Sequence, residues 1–264
     1  MRRHLKKLGN VSLLRLWELF SRPSMIRIMM ERPHASSIRG ALSFLFEDAT
    51  PETIETLRLE LVRNHRFFNE VNVNFVEKRS RRLHFEGWRE FLYLVIRFRK
   101  PNLVLETGVF DGQSSAVILQ ALWDNGAGTL VSVDLPAAEE AIPQSTDTMR
   151  ETTLPPSCQP GWVIPEYLRE RHRLVLGDSK SILPKLLAEY STIDVFLHDS
   201  LHTFEHQYWE YTTAWPHLSE GGLLLSDDIF WNPAFHRFCR EKNRRYVYLA
   251  KVGAVKGGFG VAKK

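Results

Sequence analysis

Acidic residues close successive apolar segments from about residue 103 onward. The acids at these ends are Glu106, Asp134, Asp178, Asp199, Asp227 and Asp228. The carboxyl ends of parallel strands share one edge of a sheet, and ligands of open α/β sheets bind there. Carboxylates at that edge can accept hydrogen bonds from a ribose diol or coordinate a hard metal ion. Each could also cap the next helix, and for Asp178 a cap is nearly as good an explanation.

A turn with two glycines follows the first acid. Its candidate ligand-binding residues are Glu106, Gly108, Gly112 and Ser114. Phe110 stands where the dinucleotide-binding pattern Gly-x-Gly-x-x-Gly has its middle glycine, and its Cβ would keep a pyrophosphate away from the backbone. An acid beside a turn without that pattern suits a positively charged nucleoside better than a dinucleotide.

Alternating strands and helices position these residues from residue 86 onward. The predicted helices are 86–99, 113–123, 181–190, 203–218 and 233–242, and the predicted strands are 102–106, 129–134, 173–177, 193–198, 222–226, 246–251 and 258–262. The alternation predicts an α/β fold with a Rossmann-like, doubly wound and mostly parallel sheet. The last two strands have only a short link, so they must pair antiparallel.

The chain before this domain reads as a helical extension. We expect residues 1–85 to form a cap, a lid or a dimer face, with helical spacing at 11–20 and 36–46 and a helix start at Thr50. Residues 86–264 form the main domain. Residues 136–165 interrupt it as an insertion that is either a functional lid or a surface loop without a role.

The glycine turn resembles the first motif of class I S-adenosylmethionine-dependent methyltransferases. The resemblance implies that Asp134 accepts hydrogen bonds from the ribose and that Asp178-Ser179 meet the adenine ring. It also implies that Ser114, at a helix N-terminus, binds the methionine carboxylate. Glu106 and Gly108 would then face the methionine end and its ammonium.

Two later segments, residues 195–202 and 221–229, resemble metal-dependent O-methyltransferases of the catechol, macrolide-sugar and cephalosporin-hydroxylase-like groups. The resemblance implies that Asp199, Asp227 and Asp228 hold Mg²⁺, for which three oxygen ligands are suitable. The Asp-x-x-His spacing from Asp199 to His202 fits the sugar type, with His202 as the base; the catechol type has lysine there. His202 could instead be a capping or surface residue, and the Asp227-Asp228 pair a polar turn.

These resemblances predict methyl transfer from S-adenosylmethionine to a hydroxyl of a small molecule, with magnesium assistance. A sugar or natural product is the preferred acceptor, and a catechol the second. Two other classes stay open. Asp134 would serve a nicotinamide ribose equally well, as in an oxidoreductase. A metal-free, non-catalytic member could bind a nucleoside while its basic extension binds a partner.

Charge is unevenly distributed along the chain. The first 100 residues carry 20 Lys and Arg against 11 Asp and Glu, and the remainder carries 15 against 20. The basic residues never form a block, which favours packing against the acidic domain of the same or a neighbouring subunit, as in a homo-oligomer. We expect no nucleic-acid partner; a peripheral membrane contact stays open, although no motif supports it.

Cysteine usage and hydropathy suggest the compartment. Cys158 and Cys239 have no metal or redox spacing, so we expect free thiols in a reducing environment. The basic start could belong to a targeting segment, but Arg15 and Glu18 interrupt the apolar stretch that follows. These features favour a cytoplasmic protein.

Overall fold

The computed structural model describes residues 37–80, 83, 87–137, 153–250 and 258–264. The predicted helix at 11–20 and the basic start lie outside the described residues. So do residues 138–152, which are half of the predicted insertion. Within the described ranges, every helix is too short or too polar to cross a lipid bilayer.

Seven strands form one sheet in the order β3-β2-β1-β4-β5-β7-β6. They are β1 (Leu103–Thr107), β2 (Thr129–Asp134), β3 (His172–Leu176), β4 (Ile193–His198), β5 (Leu218–Ser226), β6 (Tyr246–Ala250) and β7 (Gly258–Lys263). The first five strands pair in parallel, and β7 pairs antiparallel with β5 and β6. The predicted doubly wound sheet with an antiparallel end is confirmed. Strand order reverses at β1 and β4, which is where such sheets bind ligands.

Helices cover both faces of this sheet. They are α1 (Ile38–Leu45), α2 (Pro51–Val62), α3 (His65–Arg79), α4 (Gly87–Arg99), α5 (Gln113–Asp124), α6 (Ser179–Tyr190), α7 (Phe204–Ala214) and α8 (Ala234–Glu241). Side chains alternate between the faces of a strand. Val104 accordingly joins one hydrophobic cluster, with α1 to α5, and Leu105 joins the other, with α6 to α8.

Two boundaries differ by four residues from those predicted. The helix predicted at 203–218 ends at Ala214, and Pro216 lies in the short 3₁₀ segment Trp215–His217 that follows. Strand β5 begins at Leu218, four residues early, because Leu218 pairs with Ile193 before the register shifts. Gly221 and Gly222 lie within β5, where its pairing with β4 is irregular.

The N-terminal helices share the core of the main domain. Buried residues of α1, α2 and α3 belong to the same hydrophobic cluster as strand residues of β1, β4 and β5. The Phe46 ring stacks on Phe98 of α4, with centroids 5.5 Å apart. Lys263 of β7 donates from Nζ to the Leu45 carbonyl at 3.0 Å. Residues 37–80 are therefore packed into the domain rather than appended to it.

Candidate functional site

The ends of β1, β4 and β5 meet at the carboxyl edge of the sheet. The Asp199 N–H donates to the Thr107 carbonyl at 2.8 Å, and the Asp227 N–H donates to the His198 carbonyl at 2.9 Å. The glycine turn reaches the same point, since a Cβ on Gly108 would lie 2.0 Å from the Asp199 carbonyl oxygen. The structure thus brings the turn and Asp199 into direct backbone contact.

The turn itself has an unusual backbone. Gly108, Phe110 and Gly112 have φ values of +84°, +52° and +94°. For Phe110, a residue with a Cβ, this left-handed conformation is strained. The Asp134 carboxylate, at the end of β2, accepts from the Val109 and Phe110 N–H groups at 2.9 and 2.7 Å. Asp134 therefore braces the turn from one side.

Asp134 remains well placed for the ribose role that the resemblance implies. Its second oxygen accepts from the Leu135 N–H at 2.7 Å. Burial raises the pKa of Asp134, and the three backbone N–H groups oppose that effect. Each carboxylate oxygen can accept more than one hydrogen bond, so the brace leaves acceptor capacity. The ribose contact stays a prediction.

Glu106 is fully buried beneath the turn. Its carboxylate accepts hydrogen bonds from three serine hydroxyls, at 2.8 Å from Ser114, 2.6 Å from Ser115 and 2.8 Å from Ser132. Burial raises the pKa of Glu106 to about 7, and the three hydroxyls oppose the rise. Glu106 and Ser114, the two side chains predicted to face the methionine end of the cofactor, therefore hydrogen-bond to each other.

His172 completes this buried group. Its Nε2 lies 3.0 Å from the Ser132 hydroxyl, which donates its only hydrogen to Glu106. The imidazole must therefore donate from Nε2. Burial lowers the pKa of His172 to about 4, so the ring is neutral at pH 7. Because the ring is uncharged, the charge in this cluster depends on Glu106 alone.

Asp178 and Ser179 have separate roles in the structure. The Asp178 carboxylate accepts from the Lys180 N–H at 3.0 Å and caps α6, as the alternative interpretation expected. The Ser179 hydroxyl lies 3.1 Å from Nε2 of His206 on α7. Their proposed meeting with an adenine ring stays a prediction.

Glu210 of α7 is the centre of a buried polar network that the sequence reasoning missed. Its carboxylate lies 2.6 Å from His198 Nδ1 and 2.9 Å from His206 Nε2. It also accepts from Thr107 at 2.6 Å and from Ser200 at 3.0 Å. Burial acts to raise the pKa of Glu210, but the two histidines outweigh it and hold that pKa well below its usual range.

A sequence signal for this network exists. His206 and Glu210 are four residues apart on one helix, so they share a face. The remaining partners come from β1 and β4, and no local pattern brings them in. The network ties Ser179 and the ends of β1 and β4 into one rigid support beneath the candidate site.

His202 and Asp199 lie together at the edge. His202 Nε2 is 3.8 Å from Asp199 Oδ1, and the His202 side chain is 14% exposed. Its ring centre lies 6.0 Å from that of Trp231. Thr203, rather than His202, caps α7 by accepting from the His206 N–H. His202 is thus a half-buried residue of the site, and neither a helix cap nor a freely exposed histidine.

The metal prediction finds no support in this arrangement. The Asp227 side chain is buried, and Asp228 has a left-handed φ of +48°. Across the described parts of the chain, no three His, Cys, Asp or Glu side chains are grouped so that they could hold a metal ion. Asp199 and the Asp227-Asp228 pair follow the adjacent strands β4 and β5, as expected, and their role as metal ligands stays a prediction.

Comparison with known proteins gives one family model and many solved structures that share this fold. Residues 105–229 match the family model of a methyltransferase domain. No functionally curated protein matches the sequence. The matched segment runs from β1 through the glycine turn to the residues after β5, which is the part of the chain that forms the candidate site.

Solved structures with the same fold are distant in sequence. The O-methyltransferase TomG from Streptomyces achromogenes, in complex with S-adenosylmethionine, has 17% identity and a TM-score of 0.53, over 80% of this chain and 95% of that one. An O-methyltransferase from Bacillus cereus with S-adenosylhomocysteine has 15% identity and a TM-score of 0.52, over 81% and 97%. Residues 105–229 are thus similar to a methyltransferase domain, and the chain shares the fold of these solved methyltransferases.

Proposed function

We propose that this protein is an S-adenosylmethionine-dependent O-methyltransferase that acts on a hydroxyl of a small molecule. The observation that carries the proposal is the glycine turn at the point where strand order reverses, braced by Asp134 and in contact with Asp199. The family match over this segment supports methyl transfer. The two solved structures named above are O-methyltransferases with that cofactor or its product, which supports the choice of oxygen.

The residues at the edge fit a cationic nucleoside. Asp134 offers a carboxylate at the end of β2, next to the turn, and Asp199 offers a second at the end of β4. Bound S-adenosylmethionine supplies an electrophilic methyl group. The acceptor oxygen forms a bond to the methyl carbon as the carbon–sulfur bond breaks, and the acceptor's proton must leave.

His202 is our candidate for the group that takes this proton. Its Nε2 lies at the edge beside Asp199, whose carboxylate would stabilise the imidazolium that forms. The protein's part is otherwise positioning, since methyl transfer needs an in-line approach. We favour a sugar or natural-product hydroxyl because of the Asp-x-x-His spacing, with a catechol second.

Calorimetry with S-adenosylhomocysteine and with NAD tests the cofactor. We expect binding of S-adenosylhomocysteine with micromolar affinity and no heat from NAD. Binding of NAD alone would replace the proposal with the nicotinamide-dependent oxidoreductase. Binding of neither would overturn the proposal.

His202→Ala tests the base. We expect methylation to fall at least about a hundredfold, the usual contribution of general-base catalysis, with the Kd for S-adenosylhomocysteine unchanged. His217→Ala is the control, because His217 lies before β5, at the opposite edge of the sheet. A His202→Ala enzyme with the wild-type rate would remove the base assignment.

Magnesium assistance stays a prediction that rests on the resemblance alone. If the prediction holds, methylation stops in excess EDTA and returns when Mg²⁺ is added. Full activity in excess EDTA would contradict the prediction. The cytoplasmic location and a homo-oligomer formed through the N-terminal helices are likewise proposals, and sedimentation would test the second.

A further inference from the structure

Asp111 is a buried acid within the glycine turn, and the proposed function does not use it. Its side chain is 2% exposed. The Arg79 guanidinium, at the end of α3, donates to both of its oxygens, at 3.2 Å from Nε and 2.7 Å from Nη2. Trp162 donates from Nε1 to the same carboxylate at 2.8 Å. Three segments far apart in sequence therefore meet on one carboxylate.

The backbone of residues 161–163 is joined to the turn as well. The Gly161 N–H donates to the Phe110 carbonyl at 2.9 Å, and the Val163 N–H donates to the Asp111 carbonyl at 3.1 Å. A Cβ on Gly112 would lie 2.6 Å from the Gly161 Cα, so Gly112 permits this close approach. Asp134 braces the turn from one side, and residues 161–163 hold it from the other.

Helix α3 holds residues 161–163 and the turn together. The Phe75 ring stacks on Trp162, with centroids 6.1 Å apart. The Arg79 guanidinium lies 5.1 Å from the centre of the Phe110 ring and also donates to the Thr153 carbonyl at 3.1 Å. Arg79 thus contacts the acid of the turn, the strained Phe110 and a residue of the insertion together.

We propose that Arg79 is a positioning residue that holds the glycine turn in its cofactor-binding conformation, acting through Asp111. A buried carboxylate without its cation is costly, so loss of Arg79 would drive Asp111 towards solvent. Phe110 would then leave its strained conformation, which persists only while its surroundings determine it. Cofactor binding would have to restore the turn, and affinity would fall. The inference rests on the proposed function.

The test is calorimetry of S-adenosylhomocysteine binding to the full-length Arg79→Ala protein. We expect the Kd to rise about tenfold, which corresponds to about 1.4 kcal/mol. Arg66→Ala is the matched control, because Arg66 lies on the same helix but pairs with Glu70 at 2.9 Å and stacks on Tyr167. We expect its Kd to stay within twofold of the wild type.

Two readouts separate positioning from general damage. Partial misfolding would lower the binding stoichiometry and leave the Kd of the remaining sites unchanged. Loss of positioning raises the Kd at full stoichiometry, and it raises the KM for S-adenosylmethionine while the kcat at saturation is retained. A wild-type Kd for Arg79→Ala would overturn the inference.

A milder variant covers the case in which Arg79→Ala does not fold. Trp162→Phe removes one donor to Asp111 and keeps a ring against Phe75, and we expect a severalfold rise in Kd. An unchanged Kd would again defeat the inference. If the wild-type protein itself did not bind S-adenosylhomocysteine, the proposed function would fail first and the inference with it.

Discussion

Two buried glutamates have pKa shifts of opposite direction, although both lie under the same sheet edge. Burial raises the pKa of Glu106 to about 7, because its partners are neutral hydroxyls. Glu210 is equally buried, yet its pKa is lowered because two histidines face it. Glu210 therefore stabilises the fold at pH values above its ordinary pKa, and that contribution is lost as the pH falls. The contribution of Glu106 to stability is instead lost as the pH rises.

The Glu106 shift predicts a pH dependence of stability. The unfolded chain ionises Glu106 near its ordinary pKa of 4.5, whereas the folded protein keeps the proton until about pH 7. Its stabilising contribution is therefore complete below about pH 4.5 and is lost as the pH rises towards 7. The wild type should lose about 3 kcal/mol of unfolding free energy relative to Glu106→Gln over this window.

Urea unfolding at several pH values measures this difference. Glu205→Gln, which removes an exposed carboxylate from α7, controls for the change in net charge. A difference between the wild type and Glu106→Gln that did not vary with pH would show that Glu106 has the same pKa in the folded and the unfolded protein.

The sequence locates these acids but does not reveal what they bind. The end of an apolar strand predicts the sheet edge for Glu106 and Asp199, and the structure places them there. The partners of Glu210 are separated from it by up to 103 residues, as for Thr107. Such contacts depend on the packing of whole elements, so neither spacing nor composition encodes them in a readable form.

At the scale of elements, the glycine turn depends on close backbone approach as much as on backbone conformation. Gly108 combines a φ of +84° with a Cβ position 2.0 Å from the Asp199 carbonyl oxygen. Gly126, after α5, has a similar φ of +71°, but a Cβ there would meet no atom within 4 Å. The two glycines therefore separate conformational strain from steric contact.

Alanine substitutions at these positions should differ in cost. Gly126→Ala bears only the left-handed strain, about 1 kcal/mol. Gly108→Ala must also move β4 or the turn, which adds about 1–3 kcal/mol. Chemical denaturation of both variants measures the difference, and S-adenosylhomocysteine binding should be lost in Gly108→Ala alone. An equal loss of unfolding free energy in the two variants would show that the residues around Gly108 can move to accommodate a Cβ at no cost.

Elements themselves were mostly predictable from hydrophobic periodicity and caps. The predicted start at Thr50 is confirmed, with its hydroxyl accepting from the Thr53 N–H and Pro51 opening the helix. The irregular start of β5 was not predictable, because glycines have no preference for a strand. Local propensity does not show where β5 begins, because its first residue is set by pairing with β4.

The whole molecule depends on its N-terminal helices. Helices α1 to α3 contribute buried residues to the cluster that covers one face of the sheet. They also supply Arg79 to the glycine turn. The predicted division at residue 85 separates the chain into sequence regions, but the described residues on its two sides share one hydrophobic cluster.

Removal of residues 1–85 should therefore prevent cooperative folding. The deletion exposes apolar surface of α4 and the sheet that α1 to α3 now cover, so we expect aggregation or a molten state. Thermal unfolding followed by circular dichroism checks this expectation. A deletion variant that unfolded cooperatively and bound S-adenosylhomocysteine would support instead the alternative in which the extension serves only a partner.

The interior position of β7 has a consequence for the order of assembly. Strand β7 lies between β5 and β6, although it follows both along the chain. A ribosome that has synthesised the protein through β6 has made two strands whose shared neighbour does not yet exist. Their open hydrogen-bonding edges are a hazard for association with other nascent chains. The sheet can be completed only after β7 has left the exit tunnel, so the final folding step must follow the synthesis of nearly all of this sequence.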